Sequence, residues 1–79
     1  MSAKLFAIKD TKIGFGAPFK APNNFAAIRM FADTVNSPET MMNQHAEDFQ
    51  LFAVGEMDED TGEIATEVKF LENAVNVKA

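Results

Sequence analysis

The sequence predicts a small α+β domain: an antiparallel or mixed sheet of three to four strands, with one main helix packed on one face. Short apolar runs of two-residue period, typical of strands, flank a single stripe of helical period. The hydrophobic share of 47% supplies enough apolar side chains for one core, and 79 residues leave room for one domain. We therefore expect a single domain over residues 1–79.

The first predicted element is a strand at residues 4–9. Its apolar side chains alternate between two faces, with Leu5 and Ala7 on one of them, so both faces have something to bury. Residues 10–22 contain two glycines and two prolines and show no steady period, which predicts a loop. Loops of about a dozen residues are uncommon in compact domains and are often functional.

The main helix is predicted at residues 24–36. Asn23 or Asn24 can cap its first turn by accepting a backbone N–H. The helix should end near Asn36, because Ser37 precedes Pro38 and a residue before proline is disfavoured in the helical conformation. Its apolar stripe consists of Ile28, Phe31, Ala32 and Val35.

A β-hairpin is predicted at residues 49–68. Two apolar runs flank an acidic turn that Gly62 closes in the left-handed region. Residues 69–79 form a packing tail, either as a closing strand or as an arm on a second subunit. A helix between the first strand and the hairpin predicts that the first two strands run parallel. The third strand could then lie between them, and the strand order stays open.

The residue types exclude several classes of protein. Without cysteine there are no disulfides and no thiolate metal sites, and no apolar run approaches the ~20 residues of a membrane span. His45 is the only histidine and has no local catalytic signature beside it. The acidic turn lacks the spacing of a calcium loop. We expect a soluble intracellular protein that is not an enzyme and holds no cofactor or metal.

The charge of the chain is divided unevenly between its halves. Residues 1–37 carry five basic and two acidic side chains, a net charge of +3, whereas residues 38–79 carry two basic and ten acidic side chains, a net charge of −8. An acidic protein can still bind a phosphate backbone if its acids are held on the side opposite a basic face.

The basic half interleaves lysines with phenylalanines around the predicted loop. Ammonium groups that contact phosphates and rings on which bases stack are the combination that single-stranded nucleic acid requires. Alternatively, Phe15 and Phe19 plug the core from the loop while the lysines remain solvated. The candidate nucleic-acid-binding residues are Lys9, Lys12, Phe15, Phe19, Lys20 and Arg29.

The acidic half suggests a second, non-enzymatic function. Asp58, Glu59 and Asp60 at the hairpin turn could recognise a basic replication or capsid protein. In both interpretations the hairpin is expected to hold its acids away from the basic loop.

Several blocks of the chain, in this order, resemble the small non-structural protein of gokushovirus-type microviruses, bacteriophages with circular single-stranded DNA genomes. The blocks are KLFAIKDTKIG (residues 4–14), AIRMF (27–31), VN (35–36), EDFQLF (47–52), GE (55–56), DEDTGEI (58–64) and KFLENA (69–74).

This resemblance implies a DNA-binding, non-enzymatic protein that acts in the switch from duplex replication to single-strand synthesis and genome packaging. On this basis we expect a phage accessory protein in the host cytoplasm, a homodimer that binds single-stranded DNA weakly. Phage or host replication and packaging proteins are its expected protein partners.

Overall fold

One antiparallel sheet of five strands is covered on one side by helices. The computed structural model describes residues 2–79, so Met1 of the predicted 1–79 domain lies outside the described residues. The α+β class is confirmed, with five strands and several helices where three to four strands and one main helix were predicted. The elements are β1 (Ser2–Asp10), β2 (Gly14–Phe15), β3 (Phe19–Ala21), α1 (Asn24–Val35), α2 (Met41–Gln44), a 3-10 turn (Ala46–Asp48), β4 (Phe49–Asp58), β5 (Ile64–Asn73) and α3 (Ala74–Val77).

The sheet is built around the pair formed by β1 and β4. These strands are paired from Ser2 opposite Asp58 to Asp10 opposite Phe49. Strand β5 pairs with the other side of β4, and the short strands β2 and β3 share the outer edge of β1. The sheet therefore has one short-stranded edge, at β2 and β3, and one long edge, at β5.

The direction of β4 differs from the prediction. Strands β1 and β4 are antiparallel neighbours, and no third strand lies between them. The predicted loop at residues 10–22 contains β2 and β3, which return the chain along β1 before the helix starts. Helix α1 therefore connects β3 to β4, which run in the same direction on either side of β1. The rule that a helix joins parallel strands holds, but for β3 rather than for β1.

The core lies between α1 and one face of the sheet. Its largest fully buried side chains are Phe6, Leu51, Phe31 and Val35, the last two from the predicted helical stripe. Full burial of each such side chain contributes about 1.5–3 kcal/mol. The Asn23 side chain caps α1 by accepting the backbone N–H of Ala26 at 2.8 Å. None of the described helices is long and apolar enough to cross a membrane.

The chain beyond the hairpin turn is more regular than predicted. Strand β5 continues to Asn73, so the first five residues of the predicted tail at 69–79 belong to the hairpin. Helix α3 then folds back onto the end of α1. There the Asn36 Nδ2 donates to the carbonyl oxygen of Val77 at 3.0 Å, and its Oδ1 accepts the backbone N–H of Ala79 at 2.7 Å. The tail thus packs on its own chain.

Gly55 allows β4 to change register against both of its neighbours. Next to Gly55, the register of β4 changes both in its pairing with β1 and in its pairing with β5, which marks a β-bulge. Its φ of +155° is rarely adopted by residues with a side chain, and a Cβ here would overlap the carbonyl oxygen of Ala65. The bulge therefore requires glycine.

The substitution Gly55→Ala is expected to lower the free energy of unfolding by more than about 2 kcal/mol, because it adds backbone strain and a steric clash. Urea denaturation followed by circular dichroism measures the loss. Gly16→Ala is the control, since a Cβ there meets only the carbonyl oxygen of Ile8, at 3.5 Å. Equal stability of the two variants would contradict this role of Gly55.

Candidate nucleic-acid interface

No helix within residues 2–79 covers the face of the sheet that points away from α1. We call this surface the open face. It comprises the strand positions that alternate with the core residues and the edge residues paired with them. None of these described positions holds a carboxylate, although the chain carries twelve. The positions are Ala3, Leu5, Ala7 and Lys9 on β1, Gln50, Phe52, Gly55 and Met57 on β4, Ile64, Thr66, Val68, Phe70 and Asn73 on β5, Phe15 on β2 and Lys20 on β3.

Three phenylalanine rings form a row across the open face. The ring centroids of Phe15 and Phe52 are 5.1 Å apart, and those of Phe52 and Phe70 are 5.6 Å apart. The rings meet edge to face, with interplanar angles of 72° and 79°. The row runs from the short edge at β2 to the long edge at β5.

The two outer rings of the row are available to a ligand. Phe15 is 48% exposed and Phe70 is 47% exposed, whereas Phe52 between them is half-buried. Ala7, which is paired with Phe52, is only 3% exposed although no helix covers it. The rings therefore form a continuous apolar surface over the centre of the sheet.

Lysines lie at the β1–β2–β3 side of the open face. The Nζ of Lys9 is 5.6 Å from the centroid of the Phe15 ring, a cation–π distance. Lys12 is exposed in the turn after β1, where its backbone N–H donates to the Asp10 carboxylate at 2.9 Å. Lys20 is exposed on β3. Positive charge and stacking rings thus occur on one surface.

Two of the sequence-predicted residues lie elsewhere. Phe19 packs against the core, with its ring centroid 6.0 Å from that of Phe6. Arg29 is exposed on α1, on the helical side of the sheet. Both are removed from the candidate interface. Of the two loop phenylalanines, Phe19 thus plugs the core and Phe15 lies on the surface.

Sequence reasoning did not connect Phe52 and Phe70 to this site. By sequence alone, Phe52 belongs to an apolar run of the predicted hairpin and Phe70 to the predicted packing tail, and neither is marked as a stacking ring. The signal was the alternation itself: Phe52 alternates with Leu51, which is fully buried in the core. Since each strand has one face towards α1, the phenylalanines on the other face had to lie on the uncovered side.

The acids of the hairpin turn make contacts within the chain. The Asp58 carboxylate accepts the backbone N–H of Asp60 at 2.8 Å and of Thr61 at 3.3 Å. Glu59 forms an ion pair with Lys20, with 3.3 Å between Nζ and Oε2. The expectation that the hairpin holds its acids away from the basic segment is therefore wrong for Glu59.

One group of side chains could hold a cation. His45, Glu47 and Asp48 each offer a ligand atom, and these atoms lie within 4.8 Å of one another. The His45 and Glu47 side chains are exposed, and exposed groups of this kind are common without an ion.

A family described as "Phage ORF5 protein" matches residues 3–77. No curated protein and no solved structure matches the chain. The matched span contains every strand of the open face except for the first residue of β1.

The turn geometry predicts different effects for two neighbouring acids. Asp58→Ala should lower the free energy of unfolding by about 1 kcal/mol, because two turn N–H groups lose their acceptor. Glu59→Ala, the matched control, breaks only an exposed ion pair and should cost less than about 0.5 kcal/mol. Thermal unfolding measures both effects, and a larger loss for Glu59→Ala would contradict this assignment.

Proposed function

This chain belongs to the Phage ORF5 protein family, and we propose that it is a phage accessory protein of genome replication and packaging that binds single-stranded DNA weakly on its open face. It acts in the host cytoplasm by binding rather than by catalysis. The observation that carries the proposal is the row of Phe15, Phe52 and Phe70 on a face whose strand positions hold lysine and no carboxylate.

Ring stacking supplies the main attraction in this proposal. An aromatic side chain that stacks on a base contributes about 1–3 kcal/mol, and every base has a face on which to stack. A sheet that presents aromatic rings is a known solution for binding single-stranded nucleic acid. Phe15 and Phe70 supply half-exposed rings at the two ends of the row.

The charges supply a weaker attraction that depends on salt. Lys9 and Lys12 can contact phosphates directly, and Lys20 can do so by exchanging its exposed ion pair with Glu59 for a phosphate. Contact with about three phosphates gives a salt slope near −2 on a single strand. The net charge of −5 opposes the approach of DNA, so the affinity should be modest and should fall with ionic strength.

An adaptor remains the alternative function. All residues from Asp58 to Glu63 are exposed, so this acidic turn is accessible to a basic replication or capsid protein. It has less support, because Asp58 and Glu59 already make contacts within the chain. A pull-down of such a partner that is lost on Glu59→Gln combined with Glu63→Gln, which spare Asp58, would favour the adaptor over DNA binding.

The stacking contribution is tested by Phe70→Ala. We expect this variant to bind a labelled oligothymidine at least about fivefold more weakly than the unaltered protein in fluorescence anisotropy at low salt. Phe25→Ala is the matched control: Phe25 is 83% exposed but lies on α1, so its loss should leave the affinity unchanged. No binding by the unaltered protein, or equal losses in both variants, would refute the proposal.

The phosphate contacts are tested by Lys12→Ala combined with Lys20→Ala. Removal of two contacts should reduce the magnitude of the salt slope by about 1.4. Arg29→Ala, on the opposite side of the sheet, is the control and should leave the slope unchanged. If Arg29→Ala instead reduces the magnitude of the salt slope, the DNA lies on the helical side of the sheet and the proposed interface is wrong.

A further inference from the structure

The free edge of β5 has the features of a strand that pairs with a second chain. Strand β5 ends the sheet and extends over ten residues, from Ile64 to Asn73. Its first seven residues are exposed. An edge strand leaves a row of backbone donors and acceptors unpaired, which makes it a template for another strand.

The opposite edge of the sheet is protected in a way that β5 is not. There the outer strands are only two and three residues long, and Pro18 lies in the break between them. Very short edge strands and proline are standard protections against edge pairing. Strand β5 contains no proline and is long. The two edges of the sheet thus differ in their capacity to bind a strand.

The side chains of β5 are divided between the two sides of the sheet. Glu67 and Lys69 point to the helical side, where they line a groove of about 410 Å³ beside the start of α1. Val68 and Phe70 alternate with them and lie on the open face, 63% and 47% exposed. Val68 is therefore flanked by one acidic and one basic residue on the helical side, Glu67 and Lys69.

We propose that two copies of this chain dimerise by antiparallel pairing of their β5 strands, centred on Val68. In this register Val68 lies opposite Val68 of the second copy, and Thr66 lies opposite Phe70. Glu67 lies opposite Lys69, and the twofold axis repeats this contact. Opposite charges directly across a strand pair stabilise it.

The neighbouring registers are disfavoured by the same charges. The two nearest registers that keep the open faces of both copies on the same side are centred on residue 67 and on residue 69. The first places Glu67 opposite Glu67, and the second places Lys69 opposite Lys69. Like charges directly opposite each other destabilise a strand pair. A register offset by a single residue would place the charged side chains of one strand on the same face as the apolar side chains of the other. The charge pattern therefore selects the register centred on Val68.

The dimer would join two open faces into one. The sheet continues across the pair of β5 strands, so the phenylalanine rows of both copies lie on the same side of a single larger sheet. This consequence rests on the proposed DNA-binding function, whereas the dimer itself does not. A strand of DNA that spans both rows would gain affinity from the linked contacts.

Charge reversal tests the register. Lys69→Glu should weaken the dimer roughly tenfold in sedimentation velocity, because both cross-strand contacts become repulsive. Glu67→Lys should do the same, and the double variant Glu67→Lys with Lys69→Glu should restore the dimer. Arg29→Glu, a reversal on the exposed side of α1, is the control and should have no effect.

A monomeric unaltered protein at every concentration would overturn the proposal, as would a dimer that ignores these reversals or a double variant that fails to restore it. These measurements contain no DNA. If the protein is monomeric while Phe70→Ala still weakens oligonucleotide binding, the dimer fails and the proposed function stands.

Cross-linking tests the contact at the twofold axis directly. Because the chain has no cysteine, Val68→Cys introduces a single thiol. Residues opposite each other in antiparallel strands have Cβ atoms about 4.5–5.5 Å apart, close to the range of a disulfide. We expect mild oxidation to give a covalent dimer for Val68→Cys and little for the control Val75→Cys, which is 51% exposed on α3. Absent cross-linking at position 68, or equal cross-linking at both positions, would overturn the proposal.

Discussion

The packing of Phe31 and Val35 from α1 against Phe6 and Leu51 from the central strands is the interaction on which the rest of the structure depends. These four side chains form the centre of the core and are fully buried. The described part of the chain forms one long helix and two helices of a single turn, enough to cover one side of the sheet. A sheet with apolar side chains on both faces and helices on one must leave the other face exposed. The open face follows from this imbalance.

The distribution of charge follows from the period of the strands. Side chains alternate along a strand, so Glu56 and Glu67 lie on the helical side while Phe52, Val68 and Phe70 lie on the open face. The net charge of −5 therefore describes the molecule poorly. A protein with this net charge keeps one face without strand carboxylates, and it is on that face that a phosphate backbone could approach.

The elements with a clear local period were predictable from the sequence. Helix α1 begins where predicted, after Asn23, and ends at Val35, one residue before the prediction. The segment at residues 10–22 was not predictable, because strands of two and three residues are too short to show a period. That omission also reversed the direction of β4, since the position of β3 decides which strands the helix connects. The candidate site was predicted only in part, because β2 and β3 decide on which face of the sheet Phe15 and Phe19 lie.

The sequence by itself determined the α+β class, the helix and the hairpin, because these depend on apolar periods and turn residues that lie close together in the chain. It also identified Phe15 and the lysines of the candidate interface, but not Phe52 and Phe70. Only the tertiary structure decided which phenylalanines share a face. Phe15 pairs with Lys9 and Phe19 pairs with Phe6, and positions 9 and 6 lie on opposite sides of β1. Strand pairing over long distances in sequence therefore separated two rings that are four residues apart and aligned Phe15 with Phe52 and Phe70.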